Sequence, residues 1–172
     1  MNNSPNDQTA VPSNAGDFAS AVHDYINQSI QFADQKAAFL FTAVAAMLAF
    51  LHQKGITTEW TADPWTFQHI LAFVAVVGLT IGAAIAVWVV RPRIGGDRAG
   101  LVFWKSIAKI DSAEAYARQV LAPNADLTDA MLKHCHELAK NCKWKYLRVD
   151  IAVAFGGVGL LASILHLALF TN

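Results

Sequence analysis

Two uninterrupted apolar runs constrain this chain more than any other feature. Ile70 to Val90 (ILAFVAVVGLTIGAAIAVWVV) contains no charge, and Ile151 to Phe170 (IAVAFGGVGLLASILHLALF) contains only the titratable His166. Each is long enough to cross a bilayer, which takes about 20 helical residues. A third run, Ala37 to Leu51, has 15 residues, the length of a core helix or a signal-peptide core. A secretory signal needs a basic stretch just before it, whereas residues 1–36 hold Lys36 alone against Asp7, Asp17, Asp24 and Asp34. The run therefore reads as a retained first span. The expected fold is an all-α integral membrane protein with three transmembrane helices, at 37–51, 70–90 and 151–170.

Composition agrees, with 55% hydrophobic and 15% charged residues, where a typical soluble domain carries about 25% charge. At 172 residues the chain is too short for an enzyme with separate cofactor and substrate domains. The formal net charge of +0 gives no global attraction to nucleic acid. The distribution of charge is more informative. Segment 91–150 carries 11 of the 13 Lys and Arg residues, and segment 52–69 carries only Lys54. The positive-inside rule then puts the N-terminus and 91–150 in the cytoplasm, with 52–69 and the C-terminus on the far side. Trp60, Trp65, Trp88 and Trp144 fit aromatic belts at the two interfaces. Cys135 and Cys142 then face the reducing cytosol as free thiols.

Residues 1–16 (MNNSPNDQTAVPSNAG) lack periodicity and read as a disordered tail. Asp17 is placed to cap an amphipathic helix, 17–36, with Phe18, Val22, Tyr25, Ile26, Phe32 and Ala33 as its apolar positions. With no Pro or Gly between Phe18 and Lys54, that helix continues into the first span. Beyond the second span, Arg91-Pro92-Arg93 and Gly95-Gly96 stop the helix. A short helix is expected at Leu101–Ile110. Asp111 with Glu114 resembles a capping box for another, running through Leu121 to the stop at Pro123. A last helix starts at Asp126 or Thr128, carries Met131, Cys135, Leu138, Cys142, Tyr146, Val149 and Val153 on one face, and enters the third span unbroken. The cytoplasmic region 91–150 is thus a helical lobe.

Catalytic patterns are missing from the sequence, which has no phosphate-binding glycine loop, nucleophile elbow or His-x-x-x-His pair. His134-Cys135-His136 with Cys142 suggests a metal cluster, but seven residues of helix separate the two thiols by roughly 10 Å, too far for one tetrahedral zinc. The three spans hold no Asp, Glu, Lys or Arg for ion or proton transport. His166, near the outer end, reads as a solvated or interfacial imidazole.

Two charged features remain. At the cytoplasmic edge of span one, Asp34 and Lys36 point to different sides of the helix. A carboxylate there needs a cation from another helix, such as Arg91, Arg93 or Lys143; the alternative is a merely structural motif, with Lys36 snorkelling and Asp34 fastening helices together. The second feature is the cation cluster of Lys140, Lys143, Lys145 and Arg148 with Arg91 and Arg93. Lys143, Lys145, Arg91 and Arg93 can meet a phosphate, and Tyr146 can stack on a base, although the positive-inside rule alone also produces such a ring. Small residues line span two at Gly78 and Gly82 and span three at Gly156 and Gly159. They serve either packing within the chain or association between copies.

The sequence resembles the transmembrane effectors of the Pycsar antiphage system over roughly residues 24–165. The matching residues are Asn27; Phe32-Ala33-Asp34-x-Lys36-Ala37; Arg91-Pro92-Arg93; Phe103-Trp104-x-x-Ile107-Ala108 with Tyr116; and Lys145-Tyr146-Leu147. The resemblance implies a non-enzymatic effector in the bacterial inner membrane, partnered functionally by a pyrimidine cyclase. Its activating ligand would be cyclic UMP or cyclic CMP, and its action a lethal impairment of the membrane. Three spans of one protomer cannot enclose a wide aqueous path, so such damage is expected to take a homo-oligomer. No ligand-binding motif comes with the resemblance. Two other readings are a scaffold presenting the cytoplasmic lobe to a partner protein and a constitutive small channel.

Overall fold

The structure, a computed structural model, describes residues 14–59, 65–91, 101–123 and 125–170. Most of the expected disordered tail lies outside these residues, as do Trp60, Arg93 and the Gly95-Gly96 pair. Six helices follow one another along the chain: α1 (Asn14–Gln53), α2 (Ile56–Glu59), α3 (Phe67–Val90), α4 (Trp104–Ile107), α5 (Ala113–Val120) and α6 (Leu127–Phe170). Among the described residues there is no strand, as the expected all-α class requires.

α1, α3 and α6 are each long and apolar enough to cross a membrane. At 1.5 Å per residue, the 40 residues of α1 and 44 of α6 extend about 60 and 66 Å, roughly twice the hydrocarbon thickness. α1 stops at Gly55, whose φ of 77° is a left-handed conformation that L side chains disfavour. The Gly55 N–H donates to the carbonyl of His52 at 3.0 Å.

Several boundaries differ from expectation, each for a local reason. α1 begins at Asn14, so Asp17 sits in the first turn rather than at the cap, and residues 14–16 are helical rather than disordered. α3 starts three residues before Ile70, because the Thr66 backbone N–H donates to His69 Nδ1 at 3.0 Å and closes the first turn. The expected helix at 101–110 shortens to the single turn of α4. The α5 cap is Ser112, not Asp111: its hydroxyl accepts from the Ala115 N–H at 3.1 Å. Asp126 caps α6 as expected, its carboxylate accepting from the Asp129 N–H at 2.8 Å.

The buried faces also correct the periodicity. On α1 the packed positions are Ala19, Ile26, Ala33, Ala37, Val44 and Leu51, of which Ile26 and Ala33 were expected on the apolar face, whereas Phe18, Tyr25 and Phe32 of that face are exposed. On α6 the expected face holds through Val149 and then rotates to Ala152, Gly156, Gly159, Ala162 and Ser163, leaving Val153 exposed. His166 is 1% exposed rather than solvated, with its ring 5.6 Å from that of Phe170.

Two compact units emerge, Met1–Asn27 with Gly95–Ala139 and Gln28–Ile94 with Lys140–Asn172. In the second unit, one core gathers Val44, Leu51, Ile56, Leu71, Leu79 and Ala162, and another gathers Ala33, Ala37, Ala86, Val89, Val149 and Ala152. Between these cores α3 and α6 cross at backbone contact. A Cβ added to Gly82 would lie 2.9 Å from Gly156 N, and one added to Gly159 would lie 2.6 Å from Leu79 N. Gly78 faces the Cα of Gly159 in the same way. The glycine stripes thus meet each other within one chain. Span hydroxyls are satisfied in their own helices: Thr80 Oγ1 donates to Val76 O and Ser163 Oγ to Gly159 O, both at 2.7 Å.

Candidate ligand site at the edge of the spans

Small residues bring α1 and α6 together in the second unit, and the first polar groups beyond that packing form the candidate site. Ala33 and Ala37 are fully buried on either side of Asp34, so the Asp34 carboxylate is held against α6. Its partner there is Lys145, whose Nζ lies 2.5 and 2.7 Å from the two carboxylate oxygens. The side chains are 15% exposed for Lys145 and 33% for Asp34, which shields the pair from much of the solvent screening that weakens surface ion pairs. Two residues along α1, the Lys36 ammonium stands 5.5 Å from the Tyr146 ring centroid, within cation–π range. The two helices therefore exchange polar contacts in both directions, an acid and a cation from α1 against a cation and an aromatic from α6.

Sequence reasoning named these residues but paired Asp34 with Arg91, Arg93 or Lys143. Helix geometry explains the actual choice. Lys145 is four residues before the buried Val149 and shares its face, whereas Lys143 is rotated away from Lys145 by about 200°. Lys143 is accordingly exposed. The spacing to Val149 was the signal that could have selected Lys145. Arg91 lines a separate groove between α1 and α3 that none of Lys143, Lys145 and Tyr146 enters. Arg93 lies outside the described residues. Arg148 stacks its guanidinium 4.6 Å from the Trp88 ring, joining α6 to α3.

The first unit holds a cluster that charge and motif searches did not assemble. Asn27 Nδ2 lies 3.1 Å from His23 Nε2, the His23 and His134 rings are 5.7 Å apart, and Phe103 is 6.3 Å from His134. Cys135 Sγ donates to the Ala19 carbonyl at 3.5 Å, and the Tyr116 hydroxyl donates to Leu101 O at 2.9 Å. Asn27, Phe103 and Tyr116, all part of the family resemblance, thus serve the interior of this unit. The cysteines are free, as expected. At α5, the Glu114 backbone N–H and then the Ser112 hydroxyl hold the Glu114 carboxyl below the usual carboxylate range.

Three apolar helices, two of them far longer than a bilayer needs, with an ion pair and cation–aromatic contacts where the apolar runs end, define an all-helical membrane protein. The profile of the PycTM family, described as the Pycsar effector protein domain, matches residues 18–171. The chain is 28% identical over 144 residues to the Pycsar effector protein SaPycTM of Staphylococcus aureus, covering 81% of this chain and 87% of that protein. No solved structure matches. The chain belongs to the PycTM family of Pycsar effector proteins. Membership makes it an antiphage defence effector rather than the cyclase of such a system.

Proposed function

We propose that this effector senses a cyclic pyrimidine nucleotide, cyclic UMP or cyclic CMP, made by a partner cyclase, and answers by impairing the inner membrane in which it sits. The carrying observation is the Asp34 carboxylate seated on Lys145 between α1 and α6. A cyclic nucleotide's phosphodiester bears one negative charge and is a chemical substitute for that carboxylate. Its arrival at Lys145 displaces Asp34, and the base stacks on Tyr146 in place of Lys36. α1 is then released from α6. Because both helices run without interruption into spans, a local exchange of anions changes how the spans pack. The ligand shifts the population only by its differential affinity for the released arrangement.

Membrane damage requires several copies, since three spans enclose no wide aqueous path. The glycines that sequence offered for association are used within the chain, but α1 leaves another face open. Phe18, Tyr25, Phe32 and Phe39 recur every seven residues and are 58–77% exposed, with exposed Ala21, Gln28 and Gln35 between them. This is the seven-residue repeat of helices that coil together, with glutamine layers able to set register. Membrane anchoring fixes every copy in one orientation, so identical faces meet in parallel.

The test uses dye-loaded liposomes containing the full chain. Cyclic UMP or cyclic CMP is expected to provoke leakage and their purine counterparts are not; Lys143→Ala with Lys145→Ala also breaks the pair with Asp34 and is expected to leak alike with and without nucleotide while assembly persists. Asp34→Asn leaks without nucleotide. Equal leakage of the wild type with and without nucleotide rejects gating, and a nucleotide response that survives the double substitution rejects this site. Toxicity without nucleotide favours a constitutive channel, and harmlessness under all conditions favours a scaffold. Reporters after Asn172 and near Pro123 are expected to face the periplasm and cytoplasm respectively; the reverse removes the sensor from the cyclase's compartment.

A further inference from the structure

The groove that holds Arg91 has a chemistry of its own. It lies between α1 and α3, measures about 510 Å³, and is walled by Ala38, Phe41, Thr42, Ala86 and Val90, with Arg91 at its end. That volume falls in the range of small-molecule sites, ~300–1,000 Å³. Its one hydroxyl is already engaged, Thr42 Oγ1 donating to the Ala38 carbonyl at 3.0 Å. A nucleotide would bring ribose hydroxyls and base edges into walls that give them no partner, and burying a polar group without a partner is unfavourable. The occupant therefore has a hydrocarbon body.

Arg91 decides the other end. It follows directly on the uncharged run Ile70–Val90, which sets its guanidinium at the boundary of the hydrocarbon layer, at the depth of lipid phosphates. It is exposed, and no carboxylate among the described residues pairs with it. An apolar trough ending in a guanidinium that no carboxylate among the described residues neutralises is complementary in charge and shape to an anionic phospholipid, and the planar fork of arginine matches a phosphate bidentately. The α1 residues of the groove, 38–42, follow Asp34 by one to two turns and so occupy the same leaflet as the end of α3.

We propose that this groove is a binding site for one anionic phospholipid, its acyl chain along Phe41, Val87 and Val90 and its phosphate on Arg91. The site does not depend on nucleotide sensing. It joins α1 to α3 one to two turns beyond Asp34, on the same side of α1, and so links the packing of the spans to the headgroup composition of the leaflet.

Full-length protein is reconstituted in vesicles of equal phosphatidylglycerol and phosphatidylcholine, extracted in mild detergent, and its retained lipid measured by mass spectrometry. The wild type is expected to retain phosphatidylglycerol over phosphatidylcholine by roughly tenfold, the scale of one charge-assisted contact. Arg91→Gln brings the ratio near one while lipid is still retained. Val87→Trp fills the groove and removes the retained lipid; Val87 is 54% exposed, so the change spares the core, and Ala38→Phe repeats it from the opposite wall. Equal retention of the two lipids by the wild type, or a preference unchanged in Arg91→Gln, overturns the proposal. Displacement of phosphatidylglycerol by millimolar inorganic phosphate also overturns it, because the site would then recognise a free anion rather than a lipid.

Discussion

The two compact units are held together by different physics. Among the described residues, the unit of Met1–Asn27 and Gly95–Ala139 buries only Ala19, Ile26 and Cys135, and none of the α5 residues is buried. Directional contacts of single side chains organise it: the Asn27 amide on His23, the Tyr116 hydroxyl on Leu101, and the Ser112 cap. The unit containing the spans has two packed cores and a helix crossing at glycine backbones. In lipid the hydrophobic effect gives helices little reason to associate, so close backbone approach carries that role. Such a unit is sensitive to an added methyl group, and the other to a lost polar partner.

The sharpest way to break this contrast is on α6 itself. Gly159→Ala places a methyl 2.6 Å from Leu79 N, a clash with backbone that cannot rotate away, and is expected to cost about 3 kcal/mol or to abolish folding. Gly157→Ala, two residues away, meets nothing within 4 Å; it should be neutral or stabilise by up to ~1 kcal/mol through helix propensity. Thermal unfolding in detergent compares the two. Equal losses would show that the crossing is not set by backbone contact.

A smaller effect is expected where the spans end. Asp34→Ala leaves the Lys145 ammonium, 15% exposed, without its carboxylate, and a loss of about 1–3 kcal/mol follows. Asp34→Ala combined with Lys145→Met should recover much of it. A double variant no better than the single one would mean that the pair is not energetically coupled.

The smallest effects belong to the first unit. Asn27→Ala removes one side-chain hydrogen bond and should cost about 1 kcal/mol. Ser112→Ala should lower the local stability of α5 by about 1 kcal/mol, read as faster amide exchange in residues 113–120 with α3 unaffected. The same cap gives a pH dependence. Because the Glu114 carboxyl is held below its usual range, its contribution to folding is present above that range and is lost as pH falls through the lowered value. Protection of α5 should therefore fall on acidification, and Glu114→Gln should flatten the profile.

Sequence alone settled the class and the long-range plan. Two apolar runs of full spanning length, a third of 15 residues extended by the absence of breakers from Phe18 to Lys54, and the cap at Asp126 gave three long helices with two extended beyond the membrane, because span length and helix continuity depend on local composition. The candidate site was legible as a set of residue types: Asp34, Lys36, Lys145 and Tyr146 were all singled out. Their pairing was not legible, because three cations competed for one carboxylate and only the rotation of α6 against α1 brings Lys145 to it. The same limit blurred the α1 face: of its expected positions Ile26 and Ala33 pack, joined by Ala19, whereas Phe18, Tyr25 and Phe32 stay exposed. Hydrophobicity marks residues that avoid water, and in a chain surrounded by lipid or by other copies it does not say which of them touch each other. That choice is made by how closely two backbones can approach, which here depends on Gly82 meeting Gly156 and Gly78 meeting Gly159, a fact of tertiary structure.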